Sequence, residues 1–355
     1  MYQRQNSEAV FAIRARALAT MGLEVESCSA TDRQQSSLGL AVQRRSIGAQ
    51  GVNQFYVDAA RLLIQVAPVV FESGVFALKG GTAINLFVRD MPRLSVDLDL
   101  VFPDHSLPRD QALAQINEAV RQASARLKIR GFQVRAVTAT GAGETKILVR
   151  RGNIEIKVEV NFVLRGTVYP VRPASLSAKA RDTLQAELEI PMASLEDIYG
   201  GKLVAALDRQ HPRDLFDVMQ LYANEGITPA IRRAFVVYIA SHNRPPHEVL
   251  SPKLLDITQD YERTFVGMTT ESVELAELLS VRDRLVAELP QTLDPNERQF
   301  LLSLVSKAPE WPLLDIAHLE QLPAVRWKMR NLEQLAKTSP KKFAEQADAL
   351  KRLLA

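Results

Sequence analysis

The chain of 355 residues is 46% hydrophobic and 24% charged, the composition of a soluble globular protein with length for two or three domains. Apolar runs such as FVVYIA, ending at Ala240, fall far short of the roughly 20 residues that cross a bilayer, and the opening MYQRQNSEAV lacks the pattern of a secretory signal. No membrane and a cytoplasmic location are therefore expected. One cysteine, Cys28, and five histidines without an H-x-x-x-H pair exclude a disulfide framework, a thiolate zinc site and histidine-based zinc hydrolysis.

The net charge of +3 is unevenly spread. From Arg121 to Arg165 ten Lys or Arg stand against three Glu, and from Pro323 to Ala355 eight stand against three acids. Such clusters are the footprint of a polyanion partner, or else solvated helix faces.

In chain order, residues 1–53 form an N-terminal extension. It has a short amphipathic stretch, AVFAIRARALATMG, and then a Ser-, Gln-, Arg- and Gly-rich segment too poor in large apolar side chains to order fully. FYVDAARLLIQVAPVVF has helical spacing, with Pro68 as a bend or end. VFALKGGTAINLF predicts a strand, a glycine turn and a helix start. In MPRLSVDLDLVFP, Leu94, Val96, Leu98 and Leu100 alternate with Arg93, Ser95, Asp97 and Asp99, so one face is core and the other polar. A helix opened by Pro108 and stopped by Gly131 follows. FQVRAVT, ETKILVRR and NIEIKVEVNFVL predict three strands, the last two joined by a tight turn at Arg151–Asn153. From Ser194, which with Asp197 resembles a capping box, the pattern is helical: LEDIYGGKLVAALDR, then RDLFDVMQLYANEG after Pro212, then stretches near 229–241, 271–289, 295–306 and 324–336. The expected architecture is α+β. A small mixed-sheet domain of catalytic type at 54–190 precedes a helical domain at 191–355.

The chemistry concentrates on the polar strand faces. Two carboxylates at i and i+2, Asp97 and Asp99, point the same way and repel unless a proton or cation compensates them; oxygen-only ligands favour Mg²⁺ or Mn²⁺. A bare D-x-D is more often a solvated edge strand, so the neighbours matter. Glu155, Lys157 and Glu159 share one face of NIEIKVEVNF, and Glu159 or Glu155 completes a triad suited to two-metal phosphoryl or nucleotidyl transfer. Lys79, Gly80, Gly81 and Thr82 stand at a strand-to-helix turn where backbone N–H groups can approach phosphate. Neither a Walker A nor a G-x-G-x-x-G motif occurs. Lys202 and Arg209 share a helix face, as do Asp214 and Asp217 on the next helix; the alternative to a nucleotide-binding set is a surface ion-pair network of Arg209, Arg213, Asp214 and Asp217.

The order KGGTAINLF, RLSVDLDL, KVEVNF and GGKLVAALDRQHPRDLFDV, with PEWPLLDIAHLEQLPAVRWKMRNLEQL near the end, resembles the AbiEii/AbiGii toxin family of nucleotidyltransferases. These include the MenT-like toxins of bacterial toxin–antitoxin pairs, within the DNA polymerase β-like superfamily. The resemblance runs from about Phe55 to the C-terminus. It implies a glycine motif at Gly80 and Gly81, a serine at Ser95, metal carboxylates at Asp97 and Asp99 with Glu159 third, a triphosphate-contacting Lys202 and a late aspartate at Asp214. It further implies Mg²⁺ or Mn²⁺ as cofactor, an NTP substrate, a cognate antitoxin encoded nearby, and the tRNA 3′ end as acceptor. Nucleotidylation of a protein side chain and a catalytically silent nucleotide-binding regulator are the alternatives.

Overall fold

The computed structural model describes residues 54–139 and 143–355, all within a single compact unit. The N-terminal extension with its amphipathic stretch lies outside the described residues. Helix α1 (Gln54–Phe71) carries the expected apolar periodicity but does not end at Pro68. Val69, Val70 and Phe71 beyond it are buried, and their burial outweighs the one backbone hydrogen bond that proline removes. Among the described residues α1 is the one helix long and apolar enough to cross a membrane; here it packs in the core against the sheet.

Strand β1 (Ala77–Lys79) runs into a helical turn, Gly80–Thr82, that passes into a π-helix, Ala83–Val88. Strand β2 (Asp97–Val101) keeps the alternation of its sequence, with Leu98 and Leu100 buried and the two aspartates half-buried on the other face. The alternation in sequence begins before the strand does. Helix α2 (Arg109–Ile129) follows Pro108 and ends at Gly131, whose φ of +83° only glycine adopts without strain. Strands β3 (Gln133–Ala139), β4 (Gly143–Arg151) and β5 (Ile154–Asn161) form an antiparallel meander, with Gly152 in the expected tight turn. Strand β6 (Arg172–Ser175), helix α3 (Ala178–Leu184) and strand β7 (Glu189–Met192) carry no clear period in sequence, and two of the three contain proline or few apolar residues.

The seven strands form one mixed sheet in the order β3-β4-β5-β2-β1-β7-β6. Strand β2 is parallel to β5 and antiparallel to β1, while β1 is parallel to β7. Helices α1 and α2 cover the apolar face. After the sheet's last strand in sequence come helices α4 (Leu195–Asp208), α5 (Pro212–Ala223), α6 (Pro229–Ala240), α7 (Pro246–Leu250), α8 (Thr258–Thr264), α9 (Leu275–Thr292), α10 (Pro295–Val305), α11 (Pro323–Thr338) and α12 (Pro340–Leu354). Helix α4 is the hub, touching α5, α6, α7 and α9. Its Gly200 allows the α6 crossing, because a Cβ there would lie 2.8 Å from that of Ala234. The Ser194 hydroxyl caps α4 by accepting from the Asp197 N–H. Asp197, however, does not close a reciprocal box. Its buried carboxylate accepts from the Val168 and Tyr169 N–H groups and from the Tyr238 hydroxyl, fixing the loop after β5 to the helices.

Candidate active site

The central strands set the register of the site. Asp97 pairs with Lys157 and Asp99 with Glu159 across the parallel β2–β5 ladder, while Lys79 pairs with Asp99 across β1–β2. Register partners share a sheet face, so Lys79, Asp97, Asp99, Lys157 and Glu159 gather on the face away from α1 and α2. Glu155 instead pairs with Arg150 of β4 and has no partner on β2, so Glu159 is the acid beside Asp99. The Lys157 ammonium stands 3.1 Å from a Glu159 oxygen and 3.8 Å from Asp97 Oδ2. Burial raises the Asp97 pKa, Lys157 opposes the rise, and the neighbouring Asp99 charge adds to it.

The glycine turn lies directly on this face. Gly80 has φ +78°, and a Cβ on it would fall 2.5 Å from Asp99 Oδ2; one on Gly81 would fall 2.6 Å from the Arg93 guanidinium and 3.0 Å from Ser95 Oγ. Gly80 is favoured by its positive φ, and at both positions the absence of a side chain lets the turn lie against these groups as they stand. Thr82 is buried. Its hydroxyl donates to the Asp97 carbonyl (2.5 Å) and lies 3.0 Å from Ser95 Oγ, so Thr82 and Ser95 pin the turn to β2.

Behind the turn is a buried charge network. Arg93 is 3% exposed and clasps Asp217 with two bonds, Nε to Oδ1 at 2.7 Å and Nη2 to Oδ2 at 2.6 Å. Lys202, 7% exposed, reaches Asp214 at 2.7 Å and Asp217 at 3.0 Å. Asn85 of the π-helix also donates to Asp217. Burial alone would push the Asp214 carboxyl up, yet Lys202 and Arg209 hold it well below the usual range. Burial works against the Lys202 ammonium in turn, and the two aspartates more than restore it. Lys202 and Thr82 are therefore placed more deeply than their expected phosphate contacts suggest, with their polar atoms committed to protein partners.

In sequence Arg209 shares the helix face of Lys202 and Arg213 directly precedes Asp214, and neither is among the expected site residues. Arg209 grips Asp214 with two bonds, Nε to Oδ2 at 2.5 Å and Nη2 to Oδ1 at 3.0 Å, while its side chain stays 62% exposed. Its guanidinium also feels the Asp99 charge, and Arg213 lowers the Asp97 pKa from nearby. These two cations at the α4–α5 junction bring positive charge to the carboxylate face. In sequence Arg93 falls on the polar face of the alternating segment. Its contribution to the core became visible only when α5 brought Asp217 to it.

Asp97, Asp99 and Glu159 are a hard-oxygen donor set whose chemistry fits Mg²⁺ or Mn²⁺. Among the described residues no three acidic, His or Cys side chains converge on one cation position, since Lys157 stands between Asp97 and Glu159 and compensates both.

The family model for the nucleotidyl transferase AbiEii toxin of type IV toxin–antitoxin systems matches residues 61–331. The fold is similar to that of MenT4, a nucleotidyltransferase toxin from Mycobacterium tuberculosis H37Rv, with a TM-score of 0.52 and 19% identity over 79% of this chain and 92% of that one. No curated protein matches by sequence.

Proposed function

Because the chain belongs to the AbiEii family of nucleotidyltransferase toxins, we propose that the carboxylate face of β2 and β5 transfers NMP from an NTP to the 3′ hydroxyl of a tRNA. The observation that carries this reading is the parallel register that sets Glu159 beside Asp99, with the Gly80 backbone lying against the same carboxylate.

Asp97, Asp99 and Glu159 would hold Mg²⁺ or Mn²⁺, which when bound neutralises triphosphate charge and eases deprotonation of the attacking hydroxyl. The acceptor oxygen bonds to the α-phosphorus as the α–β anhydride bond breaks, and the hydroxyl proton passes to a carboxylate of this face. Arg209 and Arg213 favour the departing pyrophosphate by placing positive charge where negative charge builds up. Lys202 and Asp214 position Arg209 through the buried network. The reading includes a cognate antitoxin and a cytoplasmic setting, where NTP and tRNA meet.

The test is incubation of the protein with each labelled NTP, Mg²⁺ and total tRNA, followed by separation of RNA from protein. Label at the RNA 3′ end is expected. Label on protein would establish side-chain nucleotidylation instead, and absence of any turnover would leave a binding-only regulator. Asp97→Ala and Asp99→Ala should each abolish transfer without lowering the melting temperature, since each removes one of two repelling charges. Wild-type transfer by both variants would sink the carboxylate assignment.

A further inference from the structure

Three residues beyond Asp99 and Glu159, β2 and β5 feed two loops that meet the start of α11. Together they enclose a groove of about 490 Å³ lined by His105, Phe162, Arg165, Arg326, Trp327 and Arg330, among others. At roughly 3.3 Å per residue the groove opens about 10 Å past the carboxylates. Arg165 is 6% exposed, yet its Nε has no hydrogen-bond partner and its one hydrogen bond runs to the Arg109 carbonyl at 3.5 Å. Among the described residues no carboxylate lies within ion-pair distance of Arg165. Its charged neighbour is Arg109, another cation, and burial and that neighbour together lower its pKa. Arg93, the more deeply buried of the two, has Asp217 in a bidentate clasp. A desolvated guanidinium without an anion is strongly unfavourable and is the mark of a site completed by a ligand.

The loop is built to hold Arg165 there. Gly166 has φ +84°, and a Cβ on it would meet Leu322 at 2.8 Å and His105 at 2.9 Å. Its N–H donates to the Phe102 carbonyl, and His318, stacked on His105 with ring centroids 4.4 Å apart, reaches the Thr167 carbonyl. On the other wall Arg326 and Arg330 are one helical turn apart, both exposed and without ion pairs among the described residues, and Trp327 is 40% exposed between them. Lys328 anchors the back of α11 on the carbonyls of His242 and Arg244.

We propose that this groove binds a single-stranded nucleic-acid end, with Arg165, Arg326 and Arg330 on its phosphates and Trp327 stacked on an unpaired base. Guanidiniums interleaved with an exposed aromatic match a strand whose bases are splayed out, because a duplex buries the faces that Trp327 would stack on. The inference rests on the RNA-acceptor reading and gives that acceptor its path to the carboxylates.

The test is fluorescence anisotropy of a labelled 12-nucleotide single-stranded RNA with the full chain, without NTP or metal. Affinity should fall steeply with salt. The double variant Arg326→Gln/Arg330→Gln should bind at least tenfold more weakly, with the log–log salt slope shallower by about 0.7 per arginine lost. Trp327→Ala should also lose about tenfold but keep the slope. Arg165→Met should weaken RNA binding while its melting temperature holds or rises, whereas a merely structural arginine would lower it. ATP binding should be unchanged in all of them. Wild-type RNA affinity throughout, or an equal loss of ATP and RNA binding, overturns the groove. If the variants weaken RNA binding while the label goes to protein, the groove stands and the acceptor reading falls. If the label goes to RNA with unaltered KM in every variant, the groove falls and the acceptor reading stands.

Discussion

Lys202 shows how one side chain can sit in a functional motif and yet be spent inside the protein. Its ammonium is the shared partner of Asp214 and Asp217, both nearly inaccessible. Removing one member of such a buried set strands the others, at a cost of about 3 to 5 kcal/mol. Lys202→Ala should therefore lower stability by that amount in chemical denaturation, and its loss of transfer should track the unfolded fraction plus a displaced Arg209. An unchanged denaturation midpoint together with lost transfer would show that the network tolerates the gap and that Lys202 acts on the nucleotide. In sequence, the face shared by Lys202 and Arg209 was legible from their spacing of seven, and so was the pair Asp214 and Asp217. Their depth was not, because helical spacing reports direction and not what covers a face. The carboxylates were easier, since strict alternation around Leu98 and Leu100 fixes which side Asp97 and Asp99 take.

At the scale of elements, the choice between Glu159 and Glu155 was open in sequence because both share one face of β5, and only the parallel register with β2 separates them. That pairing joins strands with α2, β3 and β4 between them, a long-range contact that local patterns do not encode. The long periodic helices were read to within a few residues. Short ones such as α7 and α8 offered too few apolar positions to register a period, whereas α12 was not singled out in sequence although Phe343, Ala347, Leu350 and Leu354 recur at helical spacing. Helix α11 carries a further consequence in Lys328, 3% exposed, whose pKa burial pushes down to about 8. A lysine with its folded value below the unfolded one of about 10.4 penalises the fold below pH 8, and the penalty fades as pH rises between the two values. Across that window the wild type should gain stability relative to Lys328→Met by on the order of 3 kcal/mol. Matched denaturation curves at pH 7.5 and pH 10.5 would measure it, and a constant difference would mean that the ammonium is better solvated than its burial implies.

For the whole molecule, the Arg93–Asp217 clasp is one contact that binds the carboxylate face to the helices, and its ends are 124 residues apart in sequence. A chain ending at Gln210 would retain Asp97, Asp99, Glu159 and Lys202 but lack both aspartates of α5. It should neither melt cooperatively nor transfer nucleotide, and cooperative melting by that fragment would show that the sheet assembles without α5. The same separation has a meaning in time. A ribosome adding about 5 to 20 residues per second needs roughly 6 to 25 seconds to travel from Arg93 to Asp217. The acids of the strand face are made in the course of that interval, and Arg93 waits for its clasp until Asp217 has been added at the end of it. The buried charge network behind the glycine turn is therefore closed only once helix α5 has been made.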